Sequence, residues 1–270
     1  MKILAFGDIY GRVWRNGLLK ELPQLQQRFS PDITIANVDN ISSWRWAIPM
    51  RLEELEKAWV DIMCSGDHFF DNEKDLVEYM AKKDCRLIRP ANFYEVGAYP
   101  VMGKWYMICE KKGKKIAVIH LMGQVFMRYE VYNPFLKLQE LLAQDDIQSC
   151  NAIVVDFHKE ATSEIGALWR FFDGKISAVY GTHTHIQTND DDIFEGGTGF
   201  LSDVGMCGPK NSVIWADVEC LRGRFFTGLG KGKISQSLDS RYLVHGIFFE
   251  TDDQKKNVLH IEKIKIIWTL

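Results

Sequence analysis

The sequence lacks a long apolar run, an excess of basic charge and closely spaced cysteines. No stretch of its 270 residues approaches the roughly 20 apolar residues that span a bilayer, so a helical membrane protein is not expected. The formal net charge of −3 provides no basic field for long nucleic acids, although small anionic ligands remain compatible with it. The six cysteines form no Cys-x-x-Cys pair, which argues against a zinc ribbon or a redox motif.

The remaining composition predicts a globular protein with a sizeable core. The hydrophobic content is 46%, and the length suits one large domain or two small ones, of which we expect one domain over residues 1–270. The segment Met1–Asp8 is too short and too quickly acidic for a signal peptide. We therefore expect a cytoplasmic protein with reduced cysteines and no membrane partner.

Short apolar strands that end in Asp, Asn or His recur five times along the chain. They are residues 3–6 before Asp8, 33–36 before Asp39 and Asn40, 60–64 before Asp67 and His68, 152–155 before Asp156 and His158, and 176–180 before His183 and His185. Helical patterns follow several of them, which predicts βα units, and ligand sites in open α/β sheets lie at the carboxyl ends of strands. A lone His-x-His pair is more often a polar rim than a ligand pair, so the coincidence of the five strand ends carries the prediction.

Other segments predict a second sheet and several helices. Residues 105–110 and 115–120 read as a hairpin of a partly antiparallel sheet, and 243–250 with 258–267 as a closing hairpin. Pro49 opens a helix that is expected to bury Leu52, Leu55 and Trp59, and Asn133-Pro134 caps another.

Two clusters outside the strand ends each have two interpretations. Trp44 and Trp46 are compatible with stacking on a base, but packing in the core or a lid is the expected role. Arg222, Arg224, Lys231 and Lys233 follow one another without an intervening acid. This pattern favours a solvated excursion over an edge of the protein that attracts anionic ligands.

If the five strands lie side by side, three carboxylates and three imidazoles converge. These are Asp8, Asp39, Asp67, His158, His183 and His185. Their carboxylates would repel one another unless protons or metal ions neutralised them. Mixed oxygen and nitrogen ligands suit Mn, Fe or Zn, and six side chains suit two ions about 3.5–4 Å apart better than one. Such pairs clamp the oxygens in phosphoryl transfer, so the residues themselves predict binuclear hydrolysis.

The same residues carry a resemblance to a known family. The sequence resembles the YmdB-type branch of the calcineurin-like metallophosphoesterases, which are 2′,3′-cyclic-nucleotide phosphodiesterase-like, over most of its length and least at about 210–240, where we expect a variable excursion. The matching motifs are Gly7-Asp8-Ile9, Val38-Asp39-Asn40, Gly66-Asp67-His68, residues 156–164 (Asp-Phe-His-Lys-Glu-Ala-Thr-Ser-Glu) and Gly181-Thr182-His183-Thr184-His185, with Arg89-Pro90-Ala91-Asn92 and Asp203-Val204-Gly205-Met206.

The resemblance implies an α/β (α+β) sandwich of two mixed β-sheets flanked by α-helices, with two divalent ions. Fe or Mn is expected, with Zn as a further candidate. One ion would be held by Asp8, Asp39 and His185, and the other by Asp39, Asp67, His158 and His183, with Asp39 as the bridge. Asn40 would contact a ligand or the phosphate, His68 would donate a proton to the leaving oxygen or stabilise the pentacoordinate charge, and a metal-bridging hydroxide would attack a phosphodiester. The implied substrates are 2′,3′- and 3′,5′-cyclic nucleotides.

Two positions depart from the family pattern, which usually has Glu in place of Asp39 and Asn in place of Asp67. With two divalent ions, three carboxylates and one hydroxide, the formal charge is 4 − 3 − 1 = 0, whereas the Asn version would leave +1. A neutral centre attracts a phosphate dianion less, so we expect monoanionic diesters to be favoured over monoesters. Three alternatives stay open: a phosphomonoesterase, a non-catalytic metal-containing regulator that binds nucleotides or RNA, and RNA-derived substrates. The sequence leaves homo-oligomerisation open as well.

Overall fold

A computed structural model describes residues 1–42, 47–95, 101–230 and 232–269. The predictions for Trp44, Trp46 and Lys231 lie outside these residues. Within them, no helix combines the length and the apolar character that crossing a bilayer requires.

The described residues contain fourteen strands and seven α-helices. The strands are β1 (Lys2–Phe6), β2 (Asp8–Ile9), β3 (Ile33–Asn37), β4 (Ile62–Cys64), β5 (Leu87–Ile88), β6 (Tyr106–Lys111), β7 (Lys114–Met122), β8 (Ala152–His158), β9 (Ala178–Thr182), β10 (Asp192–Ile193), β11 (Gly199–Leu201), β12 (Met206–Pro209), β13 (Arg241–Thr251) and β14 (Val258–Thr269). The helices are α1 (Gly11–Phe29), α2 (Pro49–Lys57), α3 (Glu73–Met80), α4 (Pro134–Leu142), α5 (Asp145–Gln148), α6 (Thr162–Phe171) and α7 (Val218–Thr227), and a 3₁₀ turn covers Phe69–Asn72.

The strands form two mixed sheets. The first has the order β2-β12-β13-β1-β3-β4-β5, with β14 also paired to β13, and the second has the order β10-β11-β9-β8-β7-β6. In the first sheet β1, β3, β4 and β5 are parallel while β13 is antiparallel to β1. In the second sheet β7, β8 and β9 are parallel while β6 is antiparallel to β7. The parallel strands therefore direct their carboxyl ends to one edge of each sheet.

The two sheets pack face to face, and helices cover their outer faces. Side chains alternate along β1, so Ile3 and Ala5 join the core between the sheets, whereas Leu4 and Phe6 join the core under the helices of the first sheet. A third core lies under α4, α5 and α6 on the second sheet. This arrangement confirms the predicted sandwich of two mixed sheets flanked by helices.

The predicted hairpins and helix starts are largely confirmed. Strands β6 and β7 pair antiparallel, as do β13 and β14, and the Asn133 side chain accepts from the backbone N–H groups of Phe135 and Leu136. The prediction that Trp59 faces the core is wrong, because α2 ends at Lys57 and Trp59 has a positive φ of 66° that leaves it 73% exposed. The strands whose ends carry the candidate ligands do not lie side by side in one sheet, because β2, β3 and β4 belong to the first and β8 and β9 to the second.

Candidate metal centre

Three buried carboxylates lie at strand ends of the first sheet. Asp8 opens β2, Asp39 follows β3 by two residues and Asp67 follows β4 by three. Each of these residues is at most 5% exposed. Gly66 permits this crowding, because a Cβ at this position would come within 2.5 Å of the His158 ring and 2.7 Å of the Asp39 carboxyl carbon.

Three imidazoles face these carboxylates from the second sheet. His158 is the last residue of β8, and His183 and His185 follow β9. His183 and His185 have positive φ angles of 99° and 65°, which L-residues rarely adopt and which occur at functional sites. Because both residues have left the strand, strand alternation no longer sets the directions of their rings, and the two rings diverge.

Hydrogen bonds hold this strained segment in place. The backbone N–H of His183 donates to Asp8 Oδ2 over 3.0 Å, and that of Thr184 donates to Asp203 Oδ2 over 3.2 Å. The fully buried Lys159 Nζ lies 3.3 Å from the same Asp203 oxygen, so a buried ion pair anchors the loop. A buried pair of this kind is costly to break, because either partner alone would remain as an uncompensated charge.

The six predicted side chains meet as two neighbouring groups. In the first, His158 Nε2 lies 3.3 Å from Asp67 Oδ1 and 3.2 Å from His183 Nδ1. In the second, His185 Nε2 lies 3.6 Å from Asp8 Oδ1. Asp39 lies beside the first group, with Oδ2 3.7 Å from His158 Nε2.

The donor set fits divalent metal ions. The ligand atoms of Asp67, His158 and His183 lie within 4.8 Å of one another, as do those of Asp39, Asp67 and His68. Asp8 Oδ1 is buried and has no hydrogen-bond partner among the described residues. A buried carboxylate oxygen without a partner is destabilising, and a cation held by oxygen and imidazole nitrogen would satisfy it.

The charges in the cluster perturb one another strongly before any cation binds. Burial, together with the charges of Asp67 and Asp8, raises the pKa of Asp39 well above its usual range. Burial alone would lower the pKa of His158, but the hydrogen bond that its ring N–H donates to Asp67 and the charge of Asp39 raise it to about 10. Burial and the charge of His158 lower the pKa of His183 to about 4. A metal ion bound by His158 must therefore displace a proton from it at neutral pH.

A buried hydrogen-bond chain fixes the ring of His158. Its Nδ1 lies 3.0 Å from Thr182 Oγ1, and the Thr182 hydroxyl donates to Asp156 Oδ1 over 2.8 Å. Asn37 Nδ2 also donates to Thr182 Oγ1 over 3.3 Å. All four residues are completely buried. With Nδ1 engaged in this way, Nε2 faces the carboxylates, and such partners orient metal-binding histidines in general.

His68 is held at the mouth of the cluster by a second chain. Its Nδ1 lies 2.9 Å from Asp71 Oδ2, and Asp71 also accepts from Arg128 Nη1 over 2.8 and 2.9 Å. His68 Nε2 is 4.0 Å from Asp67 Oδ1, so this nitrogen faces the centre. The backbone N–H of His68 donates to Asp39 Oδ1 over 3.2 Å, which ties the residue to the cluster.

A cavity of about 400 Å³ lies over the cluster and has two different walls. The polar wall consists of Asn40, His68, Glu160, His183, Thr184 and His185. The apolar wall consists of Tyr10, Ile214, Trp215 and Ile234. Small-molecule sites usually enclose about 300–1,000 Å³, so the cavity is large enough for a compact ligand.

The structure brings all the sequence-predicted site residues together, with the three carboxylates and three imidazoles between the sheets and Asn40 and His68 on the cavity wall. Sequence reasoning named Asp156 and Thr182 only as parts of strand-end motifs, and it assigned no role in the site to Asp71, Arg128 or the apolar wall. Asp156 is two residues before His158 on one strand, so alternation could have placed both on one face. The turn that carries Ile214 and Trp215 has no comparable signal in the sequence.

Comparisons with known proteins extend over nearly the whole chain. A family model described as YmdB-like protein matches residues 4–264. A 2′,3′-cyclic-nucleotide 2′-phosphodiesterase of Bacillus subtilis (strain 168) is 35% identical over 272 residues, which cover 98% of this chain and 97% of the relative. The crystal structure of a novel phosphatase from Mycoplasma pneumoniae has a TM-score of 0.89 at 33% identity and covers 99% of this chain and 93% of that chain. The Haemophilus influenzae NAD nucleotidase has a TM-score of 0.56 at 13% identity, with 100% of this chain and 56% of that chain covered, which is a likeness of fold alone.

Proposed function

The chain belongs to the YmdB-like protein family, and on that premise we propose that it is a di-metal phosphodiesterase acting on cyclic nucleotides. Its fold is the calcineurin-like phosphoesterase sandwich. One observation carries the proposal: three buried carboxylates and three imidazoles meet between the sheets, beneath a cavity whose wall includes His68. Such a cluster needs cations for neutrality, and a cation pair is suited to phosphoryl transfer.

The two groups of side chains support a division of the ligands between two ions. His183 lies with Asp67 and His158, whereas His185 lies with Asp8. We propose that Asp39 bridges the two sites, and that the ions are Fe or Mn, with Zn as an alternative. Bound ions would neutralise the carboxylates and lower the pKa of water toward neutrality.

The remaining side chains have roles that follow from their contacts. Asp71 occupies His68 Nδ1, so Nε2 is the nitrogen that can give a proton to a leaving oxygen. Asn40 lines the same cavity and offers an amide to a phosphate oxygen. Arg128 neutralises Asp71, because its guanidinium contacts both carboxylate oxygens.

We propose cyclic phosphodiesters as the substrate class. The Bacillus subtilis relative is named for 2′,3′-cyclic nucleotides, and we propose the same class here, with 3′,5′-cyclic nucleotides as the second candidate. Three ligand carboxylates leave a formally neutral centre with two divalent ions and one hydroxide. We therefore propose that monoanionic diesters are favoured over dianionic monoesters.

The proposed activity is tested with protein purified without chelators. Metal content is measured first, and the hydrolysis of 2′,3′- and 3′,5′-cyclic nucleotides is then compared with that of nucleoside monophosphates. His68→Ala should keep its metal and lose about 10²-fold or more in kcat, because general acid–base catalysis typically contributes 10²–10⁴-fold. A protein that binds ions but hydrolyses none of these esters would instead be a metal-containing nucleotide-binding or RNA-binding regulator.

Three further statements stay predictions. Residues 1–270 are expected to form one domain, with the excursion at about 210–240 as its variable part. A cytoplasmic location is expected from the sequence. RNA-derived substrates and homo-oligomerisation stay open.

A further inference from the structure

The excursion contains a two-residue turn that reaches into the cavity. The backbone N–H of Val213 donates to the carbonyl of Ala216 over 2.9 Å, and the N–H of Ala216 donates back over 3.0 Å. Ile214 and Trp215 between them have positive φ angles of 54° and 153°. The turn is anchored from behind, because the Ser237 N–H donates to the Trp215 carbonyl over 3.0 Å.

This turn contacts both the metal centre and the cavity. The carbonyl of Ile214 lies 2.9 Å from His185 Nδ1, which leaves His185 Nε2 to face Asp8. The ring of Trp215 stacks on Tyr10, with centroids 4.6 Å apart and an interplanar angle of 15°. Tyr10 lies two residues after Asp8, and its N–H donates to the Cys207 carbonyl over 2.9 Å. The aromatic pair is thus linked to the proposed metal ligands at both ends, through the chain segment of Asp8 and through the contact of Ile214 with His185.

The two walls of the cavity match the two ends of one kind of ligand. The polar wall borders the cluster, where a phosphate would bind. The apolar wall offers the half-buried ring of Trp215, which stacks on the completely buried Tyr10, and two isoleucine side chains. A nucleotide has this polarity, because its phosphate is charged while its base is flat and presents a π-face. Stacking on aromatic side chains is a general way to bind a base whatever its identity.

We propose that Trp215, supported from behind by Tyr10, and the side chains of Ile214 and Ile234 form the nucleobase subsite of this protein. The inference rests on the proposed phosphodiesterase function and adds the part of the substrate that lies away from the phosphate. It assigns a recognition role to the excursion, since one turn orients His185 and also supplies an aromatic ring for the base. The subsite should accept purines more tightly than pyrimidines, because a larger ring offers more stacking area.

The subsite is tested by comparing a nucleotide with a diester that has no base. Adenosine 2′,3′-cyclic phosphate and methyl β-D-ribofuranoside 2,3-cyclic phosphate share the ribose and the five-membered cyclic diester and differ in the base. The ratio of their kcat/KM values should be at least about 10 in the wild type and should fall about 10-fold in Trp215→Ala, as expected for the loss of one stacking partner. Trp215→Phe is the matched control, and it should keep most of the ratio because it retains an aromatic ring.

A binding measurement separates this inference from the proposed function. The affinity for adenosine 3′-monophosphate, measured by calorimetry on the metal-loaded protein, should weaken about 10-fold in Trp215→Ala and much less in Trp215→Phe. This readout needs no turnover, so it tests the subsite even if the protein hydrolyses no ester. Metal content is measured in each variant, because the turn also contacts His185.

Two results would overturn the inference. One is a wild-type ratio of kcat/KM values below about 3 between the two cyclic diesters. This measurement needs no variant, so it does not depend on how Trp215→Ala folds. The other is equal adenosine 3′-monophosphate affinity in Trp215→Ala and Trp215→Phe with equal metal content. A short oligonucleotide ending in a 2′,3′-cyclic phosphate, run beside the mononucleotide, shows whether the base is presented by a free nucleotide or by an RNA end.

Discussion

Removing the Thr182 hydroxyl is the most direct test of the buried hydrogen-bond chain that fixes the ring of His158. Thr182→Val keeps the size and branching of the side chain and replaces the hydroxyl with a methyl group, so the oxygen is lost. That oxygen lies 3.0 Å from His158 Nδ1, donates to Asp156 Oδ1 over 2.8 Å and accepts from Asn37 Nδ2 over 3.3 Å. Asn37 keeps its bond to the Ser65 carbonyl, so two groups, His158 and Asp156, lose a partner in a fully buried environment.

The expected loss of stability and of metal affinity follows from these two groups. A buried polar group left without a partner costs about 1–3 kcal/mol, so Thr182→Val should lower the free energy of unfolding by about 2–6 kcal/mol. The freed His158 ring should also bind metal more weakly, by about 10- to 100-fold, which is the usual effect of removing an outer partner of a ligand. Urea unfolding of the metal-free protein measures the first quantity, and competition with a chelator measures the second.

Thr182→Ser is the matched control, because it keeps the hydroxyl and loses one methyl group. It should cost about 1 kcal/mol, as expected for one buried carbon, and leave metal affinity close to that of the wild type. If the Val and Ser variants unfold within about 0.5 kcal/mol of each other and bind metal equally, the hydroxyl does not orient His158 and the reasoning is refuted.

Two further predictions concern a histidine outside the centre and the carboxylate behind His68. Burial and the nearby charge of Lys265 lower the pKa of His245 to about 4, below its unfolded value of about 6.5. Its contribution to stability is therefore present above pH 6.5 and is lost as the pH falls toward 4. Between about pH 7.5 and about pH 4.5 the wild type should lose about 2–3 kcal/mol more unfolding free energy than His245→Leu. His260→Leu, at an exposed position on β14, is the surface control. Asp71→Asn should lower kcat about 10- to 100-fold with metal content unchanged, because the residue fixes the ring of His68, and a pH profile of kcat identical to that of the wild type would contradict this role. Arg128→Gln, which leaves the His68–Asp71 contact in place, should have a smaller effect.

The residues that we propose as ligands could be selected from the sequence because their signal is local. Each carboxylate or imidazole closely follows or ends a short apolar strand, and the carboxyl ends of parallel strands meet at one edge. The strand pattern could not assign the strands to sheets, since it is the same whether β8 lies beside β4 or opposite it. The rings of His183 and His185 diverge for a reason that spacing does not contain, namely the positive φ of both residues.

The cavity wall could not be predicted because its parts are distant in sequence and locally unfavourable. Tyr10 and Trp215 stack across more than 200 residues, and no periodicity links them. A tight turn with positive φ at Ile and Trp contradicts the preference for Gly, Asn or Asp at such positions. Tertiary contacts decide the conformation there, which is typical of strained functional segments.

The orientation of the imidazoles depends both on the local strand-end pattern and on tertiary contacts. Each ring has one nitrogen facing the centre while the other has a partner: Thr182 for His158, the Ile214 carbonyl for His185, Asp71 for His68 and Glu160 for His183. Three rings present Nε2, and His183 presents Nδ1 because Glu160 lies 3.3 Å from its Nε2. The partners come from four separate segments: the end of β9, the excursion, the 3₁₀ turn and the loop after β8. Strand ends therefore supply the ligand types, but the direction of each nitrogen depends on contacts that exist only in the folded chain, so the excursion at about 210–240 is part of the centre through Ile214.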